Sequence, residues 1–262
     1  MYRIAIYRIH YGLEYLEQSI NSILEDVDHV FVFHSTKPWS KRGEVTYLGE
    51  TFPLPQLEED VQQFCADKFN SKVKYIQQEF DTSEGQWTTM YNHVAEHYGE
   101  AHQTLMMDPD MVFAPGDAKK LFDHDCAFVN VTQIELWKGM NNRIPQRQRI
   151  GPTIWNVPPV YTGKGTEQDN NLNVHPTIQC YNFGFCMSPK IMFYKHLVAL
   201  MGSADIGDSI PAERWFIDKW TNWEPETQDL EISANHAATI KQIEPYNAPH
   251  DIQQYMNLLE ST

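Results

Sequence analysis

Asp108 and Asp110, separated only by Pro109, stand where an apolar run stops abruptly in Thr104–Phe113, TLMMDPDMVF. Two carboxylates held two residues apart can grip a hard divalent cation through oxygen, and such a cation keeps positions open for water and phosphate. The pattern suits a nucleotide diphosphate. The plainer alternative is that Asp108 caps the following turn and Asp110 is solvated, because Asp is common where strands end. A second carboxylate group lies in Ala212–Trp223, AERWFIDKWTNW, where Glu213 and Asp218 are flanked by Trp215, Trp220 and Trp223. An indole face can stack on the apolar face of a pyranose, and a carboxylate can accept a proton from an attacking hydroxyl. A five-residue offset puts Glu213 and Asp218 on different helical faces, so only one of them would face a cleft, and core packing accounts for most of the tryptophans. His236 or His250 could complete a metal sphere, although the chain has 11 histidines and a bland role is the commoner one.

The elements that must position these residues alternate. Tyr2–Tyr7 reads as a strand, and Leu13, Leu16, Ile20, Ile23, Leu24 and Val27 recur at helical spacing. Val30–Phe33 is a second strand, so a right-handed βαβ unit brings Tyr7–His10 and His34–Thr36 to one edge. Tyr7 and Ser35 are therefore candidates to touch a ligand there. Lys37–Pro55 is an irregular connection with a short hairpin around Val45–Leu48. Leu57, Val61, Phe64, Cys65 and Phe69 mark a helix, and Lys72–Ile76 a strand. Ser83 and Gln86 form a capping box for a third helix whose inner face is Trp87, Met90, Tyr91, Val94 and Tyr98. That helix leads into the Asp-x-Asp strand.

Further along, Cys126–Leu136 and Cys180–Met187 read as strands, Gly151–Pro176 as a long loop over the site, Ile191–Met201 as a helix and Leu230–Ser233 as a strand. Lys138, Arg143, Arg147 and Arg149 gather cations that could hold phosphate or simply be solvated.

Composition narrows the classes. With 262 residues, 42% hydrophobic and 13% aromatic, the chain can bury a large core without disulfides. Lys and Arg number 20 against 35 Asp and Glu, a net charge of −15, which argues against a nucleic-acid groove. A phosphate ligand must then bring a cation or meet a local one. Cys65, Cys126, Cys180 and Cys186 form no C-x-x-C pair and read as buried thiols of a reducing compartment. No leader and no membrane span are evident, and a cytoplasmic protein is expected.

Four stretches carry a resemblance: YRIAIYRIHYGLEYLEQSINSIL, VFVFHS, EGQWTTMYNHV and LMMDPDMVFAPGD. Their order resembles that of family 2-like glycosyltransferases. The resemblance implies an α/β GT-A fold, Rossmann-like, with a central mostly parallel mixed sheet flanked by helices in one domain, 1–262. Residues 1–125 would bind nucleotide-sugar and metal, and 126–262 the acceptor, a carbohydrate or other hydroxyl-bearing molecule. By the same resemblance Asp108 approaches the ribose or the metal and Asp110 ligates Mn²⁺ or Mg²⁺. It also points to Asn92 as a nucleotide contact, Glu213 rather than Asp218 as base if the reaction inverts, and His236 as a third metal ligand. The implied donor is a UDP-sugar. Two positions depart from the pattern: His34-Ser35 stands where an acidic residue commonly follows the second strand, and Tyr91 where an Arg often precedes the helix asparagine. A haloacid-dehalogenase-like phosphatase also fits Asp108-Pro-Asp110-Met-Val112 with Thr132, but three αβ elements precede the motif here. A sugar-binding module without catalysis is the remaining alternative.

Overall fold

The computed structural model describes residues 1–10, 13–36, 44–47, 50–53, 60–80, 83–99, 102–124, 128–145, 149–155, 161–162, 165–166, 174–193, 216–226, 228–231 and 239–260. The first half contains β1 (Tyr2–Ile9), α1 (Leu16–Asn21), β2 (His29–His34), the hairpin β3 (Glu44–Tyr47) and β4 (Glu50–Pro53), α2 (Val61–Lys68), β5 (Val73–Gln77), α3 (Ser83–Tyr98), β6 (His102–Met107), β7 (Met111–Phe113) and α4 (Asp117–Phe122). The second contains β8 (Phe128–Trp137), β9 (Asn142–Arg143), β10 (Arg149–Trp155), β11 (Tyr161–Thr162), β12 (Gly165–Thr166), β13 (Val174–Phe185), α5 (Pro189–Phe193), β14 (Gln228–Glu231), β15 (Thr239–Gln242), β16 (Glu244–Pro245) and α6 (His250–Glu260).

The architecture is mixed α/β. β5, β2, β1 and β6 form a parallel block in that order. β10 continues it antiparallel to β6, β8 lies antiparallel to β10, and β13 runs parallel to β8 while pairing with β7 on its other side. One sheet thus draws strands from both halves of the chain. Tyr7 pairs with both Val32 and Met107, so the carboxyl ends of the first three parallel strands finish at one level.

Both faces of the parallel block are apolar, as buried parallel strands require. Ile4 and Ile6 pack with Phe31, Phe33, Met106 and the Met90, Tyr91 and Val94 face of α3. Ala5, Tyr7 and Ile9 pack with Val30, Val32, Leu105, Met107 and α1. The helical spacing expected from Leu13 to Val27 describes burial better than helix length. Leu16, Ile20, Ile23 and Val27 are all buried, yet α1 ends at Asn21 and turns follow. Ser22 Oγ donates to the Ser19 carbonyl at 2.7 Å, a local bond that competes with helix continuation. α2 is capped by Asp60, whose carboxylate accepts from the Gln63 amide at 2.9 Å, and Leu57, expected in this helix, lies outside the described residues.

The expected loop Gly151–Pro176 needs correction. Gly151–Trp155 belongs to β10, inside the sheet between β6 and β8, and Val174–Pro176 opens β13. A register shift between Ile150 and Thr153 takes Pro152 out of the regular ladder. Of the helix expected over Ile191–Met201, α5 covers the start and the remainder lies outside the described residues. Among the described residues no helix is long and apolar enough to cross a membrane.

Candidate functional site at the carboxyl edge of the parallel strands

Asp108 is the first residue beyond β6, and its carbonyl accepts from the Met111 amide at 3.1 Å, closing the turn that carries Pro109 and Asp110. Because Tyr7 pairs with Met107, the next residue of β1, Arg8, lies beside Asp108. Arg8 Nε donates to Asp108 Oδ1 at 2.7 Å. The guanidinium carbon lies 4.5 Å from the centre of the Trp87 ring, on the second turn of α3. With side chains 21% and 28% exposed, Arg8 and Asp108 are half-buried, where a charge-assisted bond is stronger than in open water.

A second group adjoins this one across β1 and β2. The Ser35 amide bonds to the Ile9 carbonyl at 3.0 Å, and His10 Nδ1 is 2.7 Å from the Ser35 carbonyl. Glu79, just beyond β5, collects three donors. Ser35 Oγ reaches it at 3.1 Å, the Thr36 amide at 3.0 Å, and the Thr36 hydroxyl also bonds to it. His34 Nδ1 meets the Tyr75 hydroxyl at 2.9 Å. Burial holds both His10 and His34 below the usual histidine range, with partial compensation from the Ser35 carbonyl at His10 and from Glu79 at both. The edge therefore offers a guanidinium, two carboxylates, two hydroxyls and two histidines favoured as neutral.

The candidates drawn from sequence fall unevenly around this edge. Asp108 sits on it half-buried, and Ser35 sits on it buried, at 1% exposed, with its hydroxyl turned to Glu79. Tyr7 is fully buried, and its hydroxyl accepts from Ser19 at 3.1 Å, while burial pushes its phenol well up. In this packing it has no surface to give a ligand. Asn92 is exposed on the third turn of α3, next to the buried Tyr91. Asp110 is only 5% exposed. Its carbonyl accepts from the Phe183 amide at 2.8 Å, tying the turn to β13. Glu213 and His236 lie outside the described residues. Asp218 belongs to the π-helical turn Phe216–Thr221. His250 opens α6 and lines a shallow surface pocket with Gln253, Gln254 and Asn257.

The remaining expectations resolve into packing. Trp220 is buried against Phe216, and its indole donates to the Phe185 carbonyl at 3.2 Å. Arg143 pairs with Glu244 at 2.5 Å and lies over Tyr246, while Lys138 bonds to the Thr221 carbonyl at 3.1 Å and lies over Trp220. These two cations have partners of their own. Cys65 and Cys180 are buried thiols and Cys186 is a half-buried one whose sulfur accepts from the Gly139 amide at 3.2 Å; burial raises Cys65 to about 11. Cys126 lies outside the described residues.

Sequence reasoning passed over Arg8 and Glu79. The available signal was an arginine near the end of a largely apolar strand, Arg8 in YRIAIYRI, and an acid two residues after β5. Among the described residues no three His, Cys, Asp or Glu side chains come together as metal ligands.

No protein-family model and no curated protein matches the chain. Among solved structures, similarity is found to a Bacillus anthracis protein assigned as a glucose-1-phosphate thymidylyltransferase and crystallised with sucrose, at 9% identity and a TM-score of 0.35, covering 59% of this chain and 70% of that one. The inositol-1-phosphate CTP transferase of T. maritima aligns at 10% identity and a TM-score of 0.31, over 59% and 70% of the two chains. HddC from Yersinia pseudotuberculosis aligns at 16% identity and a TM-score of 0.31, over 60% and 75%. Overlap at this level assigns no activity.

Proposed function

We propose that this protein is a glycosyltransferase of the GT-A kind that moves a sugar from a nucleotide-sugar, a UDP-sugar by the sequence resemblance, to a hydroxyl-bearing acceptor. The observation that carries this reading is the convergence of Asp108, Arg8, Ser35, Thr36 and Glu79 at the carboxyl ends of adjacent parallel strands. Open α/β sheets bind ligands outside those ends. The carboxylate of Glu79 suits the hydroxyls of a ribose, and the guanidinium of Arg8 suits a diphosphate.

By the resemblance, Asp108 and Asp110 would hold Mn²⁺ or Mg²⁺, which would neutralise charge on the leaving diphosphate. The described residues do not fit that use as they stand. The guanidinium of Arg8 already sits against Asp108 Oδ1, and the third ligand that the resemblance implies, His236, lies outside the described residues. The chemistry assigned here therefore rests on the chain's own groups. Arg8 opposes the charge of the leaving phosphate, Asp108 orients Arg8, and Glu79 holds the nucleoside. Glu213, with Asp218 as its alternative, takes the acceptor proton if the reaction inverts.

The test is to incubate the purified protein with a panel of UDP-, dTDP-, GDP- and CDP-sugars, with and without Mn²⁺, following nucleotide release and thermal stability. Release of nucleotide with transfer to an added glycan or alcohol is expected for one donor. Stabilisation by free sugar without nucleotide release would favour the binding module, and hydrolysis of p-nitrophenyl phosphate the phosphatase.

A further inference from the structure

We infer that Arg8 is the diphosphate-binding cation of this site and that it works without a divalent metal at Asp108; the inference rests on the nucleotide-sugar reading above. A divalent cation on Asp108 would sit at about 2.0–2.6 Å from a carboxylate oxygen. Arg8 Nε already lies 2.7 Å from Oδ1. A metal at that oxygen would place its charge beside a guanidinium that never loses its proton at physiological pH. A metal bound through Oδ1 would therefore have to displace Arg8 from that oxygen. A phosphate is drawn to a cation that the fold has already placed, and competes there with the carboxylate of Asp108.

Three restraints set that placement independently. β1 fixes the Arg8 backbone beside the end of β6 through the Tyr7 and Met107 pairing. The bond to Asp108 sets the edge of the guanidinium plane, and the Trp87 face, 4.5 Å away, sets the plane itself. A guanidinium oriented in advance loses little freedom on forming a two-pronged contact with phosphate. The requirement is also local: in a chain of net charge −15 a phosphate has no general attraction to the surface.

The test is calorimetric titration of the full chain with UDP and with pyrophosphate, in EDTA and in Mn²⁺, for the wild type, Arg8→Gln and Arg8→Lys. Expected are wild-type dissociation constants for UDP that agree within about threefold between EDTA and Mn²⁺, a loss of about tenfold or more in Arg8→Gln, and a smaller loss in Arg8→Lys, which keeps the charge but not the fork. Should Arg8→Gln fail to fold, the wild-type pair of titrations and Arg8→Lys decide the matter. Wild-type binding of UDP that vanishes in EDTA and returns with Mn²⁺, or variants that bind as the wild type does, overturns the inference and leaves the nucleotide-sugar reading standing. Failure of UDP and of every nucleotide-sugar in the panel to bind the wild type under either condition overturns that reading, and the role of Arg8 falls with it.

Discussion

The two ends of the parallel strands differ in how much of their finish is aromatic packing. At the amino edge rings close the strands, beside polar contacts from Arg3 to Asp28 and Asp123 and from Lys72 to the Leu24 carbonyl. Tyr2, His29 and Tyr98 lie within 5.1–6.1 Å of one another, His93 stands edge-on to Phe31 at 5.9 Å, and Lys74 lies over Phe31 and Tyr98. At the carboxyl edge the same strands are linked by directional polar contacts, Arg8 to Asp108, His10 to Ser35, and Ser35 and Thr36 to Glu79. Ring packing tolerates small shifts and stabilises through buried area, whereas charge-assisted hydrogen bonds hold particular atoms in particular places. On the function proposed above, the difference is a division of labour: one edge chiefly resists unfolding, the other presents groups to a ligand.

The sharpest way to break this contrast is at Phe31, which is 2% exposed. Phe31→Ala is expected to cost about 3–5 kcal/mol of stability, measured by urea unfolding, while the folded fraction binds UDP as the wild type does. Weakened UDP binding per folded molecule would show that the two edges are not separable. Next in size is Glu213→Gln, which should keep donor affinity and lose transfer by roughly 10²-fold or more in single-turnover assays. Normal transfer in that variant with loss in Asp218→Asn would move the base to Asp218, and normal transfer in both would remove a carboxylate base from the mechanism.

A smaller effect is expected at the carboxyl edge itself. Asp108→Asn should weaken UDP binding about tenfold by releasing Arg8 from its orientation, at a stability cost of about 1 kcal/mol. A large fall in melting temperature with unchanged affinity would make the pair an ordinary structural contact.

The smallest effect is a pH dependence that sharpens the comparison from the amino edge. Burial holds His93 and His29 below the usual histidine range, helped by His97 and Lys74 at His93 and by Lys74 at His29. A histidine with a lowered folded value contributes stability that is fully present above its unfolded value, about 6.5, and is lost as pH falls toward the folded value. The melting temperature should therefore decline as pH drops below about 6.5, and His93→Gln should flatten that slope. An unchanged slope in His93→Gln would assign the decline to the other histidines that burial depresses, His29 at the same edge, His10 and His34 at the carboxyl edge, and His175.

How far the site could be read from sequence depends on the range of the interaction that makes each part. The place of Asp108 was legible because an apolar run meeting an acid is a local signal, and β6 ends at Met107. The partner of Asp108 was not, because Arg8 lies 100 residues away and nothing in YRIAIYRI says which strand will be its neighbour. The acid that appeared to be missing after β2 has a spatial counterpart in Glu79, which reaches Ser35 from 44 residues further along. Tyr7 illustrates the opposite error. The βαβ crossover placed it near that edge, but only packing could decide that its face is the one against α1 and Ser19.

By itself, then, the sequence determined the parallel block and the inner face of α3. Those elements are written in apolar runs and a helical period, and the hydrophobic effect acts on both in almost any compact arrangement. Tertiary structure alone decided that Gly151–Trp155 would be a sheet strand. Gly151 and Pro152 disfavour a strand locally, and pairing with β6 and β8 on both sides, with a register shift to accommodate the proline, outweighs that preference. Tertiary structure likewise brought Arg8, Asp108 and Trp87 together, because contacts between residues far apart in sequence depend on strand order and register, which no local pattern of residue types encodes.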